Sequence, residues 1–139
     1  MYFMRFSWPL DIMNNYNIMS FIAQGYAFLY DRLDIMNIDF SKLNGLVPVV
    51  IQNDQDKTVL MVGFMNEEAY KRTKESDYVH FWSRSRRSLW MKGETSGNKL
   101  KVVSLAIDCD NDTLLANVNI EGDGVCCHTG SKRCFFRKI

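Results

Sequence analysis

The residues best equipped for chemistry are concentrated in the last quarter of the chain. Asp108-Cys109-Asp110-Asn111-Asp112 is followed by a stretch of strand character, then by Gly124-Val125-Cys126-Cys127-His128-Thr129-Gly130 and Cys134-Phe135. All 4 cysteines of the protein lie in this segment. Thiolates suit zinc, and clustered carboxylate oxygens suit magnesium, calcium or manganese, so two kinds of metal chemistry stand side by side.

Cys109, Cys127 and Cys134 are widely spaced, and no Cys-x-x-Cys pair occurs. A structural zinc ribbon closes its tetrahedron with such pairs, so this spacing argues instead for three thiolates and a fourth position left to water. Zinc held that way brings the pKa of its water to roughly 7. Neighbouring residues of an extended chain point to opposite faces, so Cys126 and Cys127 do not share one ion. Cys127, which leads into His128-Thr129-Gly130, is assigned as the ligand and Cys126 as packing. The bland alternative, a set of buried small hydrophobes, is disfavoured by clustering beside three aspartates.

Asp108, Asp110 and Asp112 alternate along the chain and share one face if the segment stays extended. Three converging carboxylates repel one another, and a divalent cation is the natural answer. Asp-x-Asp-x-Asp also opens an EF-hand loop, but Thr113 stands where that loop needs glycine and Asn119 where it needs glutamate. A solvated acidic turn is the alternative.

Arg84, Arg86 and Arg87 interleave with Ser83, Ser85 and Ser88. Guanidinium forks pair bidentately with phosphate oxygens, and hydroxyls add donors. Thr95, Ser96, Gly97 and Asn98 form a small-residue loop whose backbone N–H groups suit a second phosphate. Trp82 and Trp90 flank the basic turn and offer faces to a base, although aromatic strand residues are more often core. His128 is the candidate for proton transfer, and His80, inside an apolar strand, is read as a packed histidine. A phosphate-rich purine nucleotide would engage these groups together.

The elements that must position them are mostly strands. Residues 47–52 and 58–65 are apolar runs around a polar turn and read as a hairpin. Asn66 is a helix N-cap, with Glu67 and Glu68 in the first turn and bases at the end of about ten helical residues. Residues 78–83 and 89–92 pair around the basic turn, 100–107 lead into Asp108, 113–120 return from the acidic turn, and 133–139 are expected as a last short strand. The class is α+β, mostly β: an antiparallel twisted sheet or barrel-like domain with one or two short helices. Residues 1–35 differ in texture and keep no period, so they are read as an N-terminal extension, with Met36 as the natural start and the domain at 36–139. A helix over residues 18–33 packing on the domain is the competing reading.

With 139 residues, 47% of them apolar and 24% charged, the chain fits one domain with a real core. A net charge of +1 gives no overall field for nucleic acid or a membrane surface. No run approaches the roughly 18 apolar residues of a membrane span. The apolar stretch near the N-terminus is broken by Asp11, Asn14, Asn15 and Asn17 and lacks a cleavage site, so reduced thiols and a cytoplasmic location are expected.

Four ordered motifs carry a family resemblance. Phe81-Trp82-Ser83-Arg84-Ser85-Arg86, Lys92-Gly93-Glu94-Thr95-Ser96-Gly97, Asp108-Cys109-Asp110-x-Asp112 and Cys127-His128-Thr129-Gly130-x-x-x-Cys134-Phe135 together resemble phosphoribosyl-AMP cyclohydrolase of histidine biosynthesis. The resemblance runs from Asn44 to the end of the sequence. It implies hydrolytic opening of the adenine six-membered ring of 1-(5-phosphoribosyl)-AMP. It also implies an interlocked homodimer, with zinc on cysteines contributed across the two subunits and magnesium on the three aspartates. By motif, zinc falls to Cys109, Cys127 and Cys134, and magnesium to Asp108, Asp110 and Asp112. Zinc-activated water would attack the ring carbon beside the ribosylated nitrogen, His128 would assist the leaving nitrogen, and Arg84, Arg86 and Arg87 would anchor phosphates.

Asn111 stands where the family commonly has glycine, Cys126 replaces a small residue, and Arg133 replaces serine; none of these removes a ligand. Many bacterial members continue into a phosphoribosyl-ATP pyrophosphohydrolase, and because this sequence ends at Ile139 that activity is expected from another protein. Two other classes compete. A zinc nucleotide deaminase needs His-x-Glu with Cys-x-x-Cys, which are absent. A zinc-stabilised nucleotide-binding module without catalysis would need a fourth protein ligand.

Overall fold

Val47–Asn53 (β1) alternates buried and half-buried positions along its whole length, and Val47, Val49 and Ile51 are fully enclosed. Every second side chain of a strand faces one way, and β-branched residues pack well on that pleated surface. In the computed structural model, which describes residues 37–139, β1 is a central strand. The extension at 1–35 and the helix over 18–33 fall outside the described residues.

β1 turns back into Val59–Met65 (β2), antiparallel to it. Asn53 closes the turn: its N–H donates to Thr58 O at 2.8 Å and its Oδ1 accepts from Gln55 N at 3.0 Å. Asn66 then caps Glu67–Ser76 (α1), its side chain accepting the Ala69 N–H at 2.9 Å. Glu67 and Glu68 at the start and Lys74 at the end match the helix dipole. Asp77 ends the helix in the left-handed region, at φ 62°. Thr73 Oγ1 donates to Ala69 O and accepts the His80 N–H at 2.9 Å, which ties the helix to the following strand.

His80–Ser83 (β3) and Ser88–Met91 (β4) form a two-stranded antiparallel hairpin around the basic turn. Leu100–Ile107 (β5) and Leu114–Ile120 (β6) flank the acidic turn and also pair antiparallel. The four-stranded sheet has the order β2-β1-β6-β5. The β3–β4 hairpin approaches β2 at Gly63, where an added Cβ would lie 2.4 Å from the Phe81 ring. Phe81 is fully buried and packs tilted on Trp90, with ring centroids 5.0 Å apart.

The mostly β, α+β class and the short helices match the sequence reading; besides α1, Phe40–Leu43 make one 3-10 turn capped by Asp39. Three details differ. The centre of the sheet is parallel, with β1 Val49 opposite β6 Leu114 and Asn53 opposite Val118. Hairpins keep sequence neighbours antiparallel, whereas this pair is joined by a long crossover, which permits parallel pairing. Among the described residues the sheet ends at β2 and β5 and is not a closed barrel. Residues 133–139 form no strand: the Cys134 N–H donates to Leu60 O at 2.7 Å, and Phe135 and Phe136 remain exposed. No described helix is long and apolar enough to cross a membrane.

Candidate active site

The three aspartates converge. One carboxylate oxygen from each lies within 4.8 Å of those of the other two. The cause is a turn and not an extended face: Asn111 N–H donates to Asp108 O, Asp108 N–H donates to Thr113 O, and Asn111 adopts φ 64°. That left-handed angle is easiest for glycine and tolerated by asparagine, whose short polar side chain relieves it. Asp108 Oδ1 accepts the Asp112 N–H at 3.0 Å and the Thr113 N–H at 3.1 Å. Desolvation pushes the Asp108 carboxyl up, but these amide bonds together outweigh it and hold the group below its ordinary value.

Lys42 joins this turn from the 3-10 segment. Its Nζ lies 2.9 Å from Asp110 Oδ2, 3.0 Å from Asp112 Oδ2 and 3.0 Å from Asp110 O. Hydrogen bonds to Asp110 and then Asp112 raise the lysine above its usual range. Asp39 N–H also donates to Asn111 O at 2.6 Å. Sequence reasoning missed Lys42, because 68 residues separate it from Asp110 and no spacing links them.

Beyond β6, Cys126 and Cys127 enter the core, while Cys109 and Cys134 are exposed. Gly130 N–H donates to Cys127 O and Cys127 N–H to Ser131 O, making a tight loop. Thr129 Oγ1 donates to Cys127 Sγ at 3.1 Å. That bond first, with the Thr129 amide and the Cys134 thiol, holds Cys127 below the usual thiol range. Although Cys134 is exposed as a residue, desolvation of its thiol and then its bond to Cys127 push it up, so Cys127 ionises first. Burial drives Cys126 up to about 11, which suits a packing residue. The Lys92 charge pulls all three thiols toward the thiolate. Lys92 was visible only as the start of the Lys-Gly-Glu-Thr motif. His128 is exposed, with Nδ1 4.0 Å from Cys127 Sγ. Among the described residues the thiols of Cys109, Cys127 and Cys134 are not grouped within 4.8 Å of one another.

The basic turn is exposed from Arg84 to Ser88. The Arg84 guanidinium lies over the Phe64 ring at 3.8 Å, and Arg86 N and Nε both donate to Ser83 Oγ, with Ser85 Oγ 3.5 Å from it. Arg87 takes φ 50°, closing the turn. Trp82 is half-buried beside it, whereas Trp90 is engaged with Phe81. Thr95, Ser96 and Gly97 are exposed, but Asn98 Oδ1 is committed to the Asp123 N–H at 2.7 Å. Asn98 thus clamps this loop to the turn that precedes the cysteines. His80 is half-buried, with Nδ1 2.9 Å from Tyr78 O, in keeping with a packed histidine.

Residues 61–136 match the family model described as phosphoribosyl-AMP cyclohydrolase. The chain belongs to the phosphoribosyl-AMP cyclohydrolase family. It is an enzyme of that family. The phosphoribosyl-AMP cyclohydrolase of Solibacter usitatus (strain Ellin6076) is 51% identical over 104 residues, covering 75% of this chain and 82% of the relative. That of Clostridium botulinum (strain Alaska E43 / Type E3) is 50% identical over 109 residues, 78% of this chain and 96% of the relative. The histidine biosynthesis bifunctional protein HisIE of Bacteroides thetaiotaomicron is 52% identical over 103 residues, 74% of this chain but 50% of the relative. The part matched by the cyclohydrolase model takes in the basic turn, the 95–98 loop, the acidic turn and all four cysteines; Lys42 lies before it.

Proposed function

We propose that the enzyme opens the six-membered adenine ring of 1-(5-phosphoribosyl)-AMP by hydrolysis, giving the formimino-carboxamide product in histidine biosynthesis. One observation carries this reading: within the cyclohydrolase match, a thiolate-prone cysteine loop and a converged carboxylate turn sit on the same chain as an exposed arginine turn. The donor types fit the two metals, soft sulfur for zinc and hard oxygen for magnesium. Cys127 and Cys134 would hold zinc together with Cys109 of a second copy, and Asp108, Asp110 and Asp112 would hold magnesium. Bound zinc supplies a Lewis acid that makes water nucleophilic at neutral pH.

The chain's own groups do the rest. His128, exposed beside Cys127, delivers a proton to the departing ring nitrogen. Arg84, Arg86 and Arg87, with Ser83, Ser85 and the amides of Thr95, Ser96 and Gly97, hold the phosphates. Trp82 offers its face to the base. A homodimer is supported by unpaired apolar surface: Val103 and Ile107 on the edge strand β5, and Phe135 and Phe136 on the tail, are all exposed. A cytoplasmic setting agrees with four free thiols.

The test is the ultraviolet absorbance of phosphoribosyl-AMP mixed with purified protein, with and without a zinc chelator. A chelator-sensitive change to the ring-opened product is expected. No change, with zinc bound and the dimer formed, would leave the non-catalytic nucleotide-binding module. Replacing His128 with Ala should lower turnover by about 10²-fold or more, and a rate near wild type would remove its role.

A further inference from the structure

We propose that Lys42 is an internal counter-ion of the acidic turn, holding the place of a divalent cation and leaving when one binds. The inference rests on the magnesium reading of Asp108, Asp110 and Asp112. Lys42 Nζ makes three bonds there, to Asp110 Oδ2 at 2.9 Å, Asp112 Oδ2 at 3.0 Å and Asp110 O at 3.0 Å. Three oxygens directed at one positive centre are what a hard cation would also take, and an ammonium is a compact point charge of the same sign. Two of those oxygens belong to Asp110 and Asp112, members of the aspartate set that can bring one carboxylate oxygen each within 4.8 Å of the others. One charge therefore excludes the other.

The departure is inexpensive. The Lys42 side chain is 40% exposed, and the Asp110 carboxylate it holds is 61% exposed, so a flexible stem can swing into water. The backbone that carries it is fastened separately. Asp39 N–H donates to Asn111 O, Asp39 Oδ1 accepts the Ser41 N–H at 2.9 Å, and Ile38 and Phe40 are buried. The ammonium can leave while the 3-10 segment stays against the turn. Asp108 is held differently, by the amides of Asp112 and Thr113, so it remains oriented throughout the exchange. The site is kept folded without metal, and the cost is a weaker hold on the incoming ion.

Manganese(II) serves as the probe, titrated into full-length protein stripped of divalent cations and followed by electron paramagnetic resonance of the free ion. Lys42→Met keeps the stem and removes the charge; its manganese dissociation constant should fall about five- to tenfold at low salt, with the gain shrinking as ionic strength rises. Lys42→Arg, which keeps the charge, should stay within about twofold of wild type. Thermal unfolding gives a second readout: Lys42→Met should melt below wild type without metal and gain more from manganese. Equal or weaker manganese binding by Lys42→Met, with wild type binding normally, overturns the proposal and leaves the magnesium reading intact. Failure of every form to bind manganese overturns both.

Discussion

Replacing Gly63 with alanine should disturb the arginine turn without touching it. An added Cβ would lie 2.4 Å from two atoms of the Phe81 ring and 3.2 Å from a third. Gly63 is not in the left-handed region, so alanine fits the backbone and would gain about 0.4–1 kcal/mol from a less flexible unfolded chain. The ring opposes that gain. Phe81 is 1% exposed and packed against Trp90 on the same hairpin, so it can retreat only by carrying β3 and β4 with it. Overpacking of this kind costs about 1–3 kcal/mol, which leaves a net loss of roughly 1–2 kcal/mol. For a domain of this size that is a fall in Tm of about 5–15 °C, read by circular dichroism.

The functional consequence follows from the same hairpin. Arg84 rests over Phe64, the residue after Gly63, so a shift of β3 and β4 moves the arginines relative to β2. KM for phosphoribosyl-AMP should rise several-fold while kcat changes less. Phe81→Leu gives the clash room, and the double variant should recover much of the loss, a coupling that independent sites do not show. A Gly63→Ala protein as stable as wild type, or a double variant no better than the sum of the singles, would refute the close-packing argument.

Zinc analysis should find the metal retained in Cys126→Ala and lost in Cys127→Ser, because only the second thiol is biased toward the thiolate. Mixing inactive Cys109→Ser and Cys127→Ser proteins under subunit exchange should restore up to about a quarter of wild-type activity, since half the dimers would carry one intact shared site; no recovery in confirmed mixed dimers would argue against sharing. Asn98→Ala removes the acceptor for the Asp123 N–H and should cost about 1 kcal/mol in urea denaturation and raise KM, while Asn98→Asp keeps the acceptor and most of both. The Lys132 ammonium, with Thr58, holds Asp56 down to about 2. Its folded value lies below the unfolded value of about 3.9, so the contribution is complete above pH ~4 and vanishes toward pH ~2. The stability difference between wild type and Asp56→Asn should close over that window and nowhere above it.

What the sequence disclosed was local. The Asn66 cap, the acidic and basic ends of α1 and the bounds of β5 are fixed by residues within a turn of one another, and they stand where the pattern put them. The parallel pairing of β1 with β6 depends on how β2, a helix, the β3–β4 hairpin and β5 are laid between them, which no short window contains. Residues 133–139 have the aromatic content of a strand, yet beyond the bond from Cys134 to Leu60 the backbone meets no ladder among the described residues, and propensity without a partner makes no strand. Lys42 escaped notice for a related reason: a lysine announces nothing until folding brings it to a carboxylate.

The two sets of proposed metal ligands differ in a way that strand geometry explains. Asp108, Asp110 and Asp112 lie in one turn, so the bonds that close the turn also gather the carboxylates. Cys109 shares that turn, but Cys127 and Cys134 come after β6, whose seven residues extend for roughly 20 Å at the rise of a strand. An extended strand between two ligands carries them apart, and the tight loop at Cys127 closes on Ser131 instead of returning toward Cys109. On the proposed reading the carboxylate set stands within one chain, with Lys42 bonded to it, while a three-thiolate zinc site would need Cys109 from a second copy. Such an enzyme would link zinc loading to dimer formation but leave the acidic turn responsive to cations in either state.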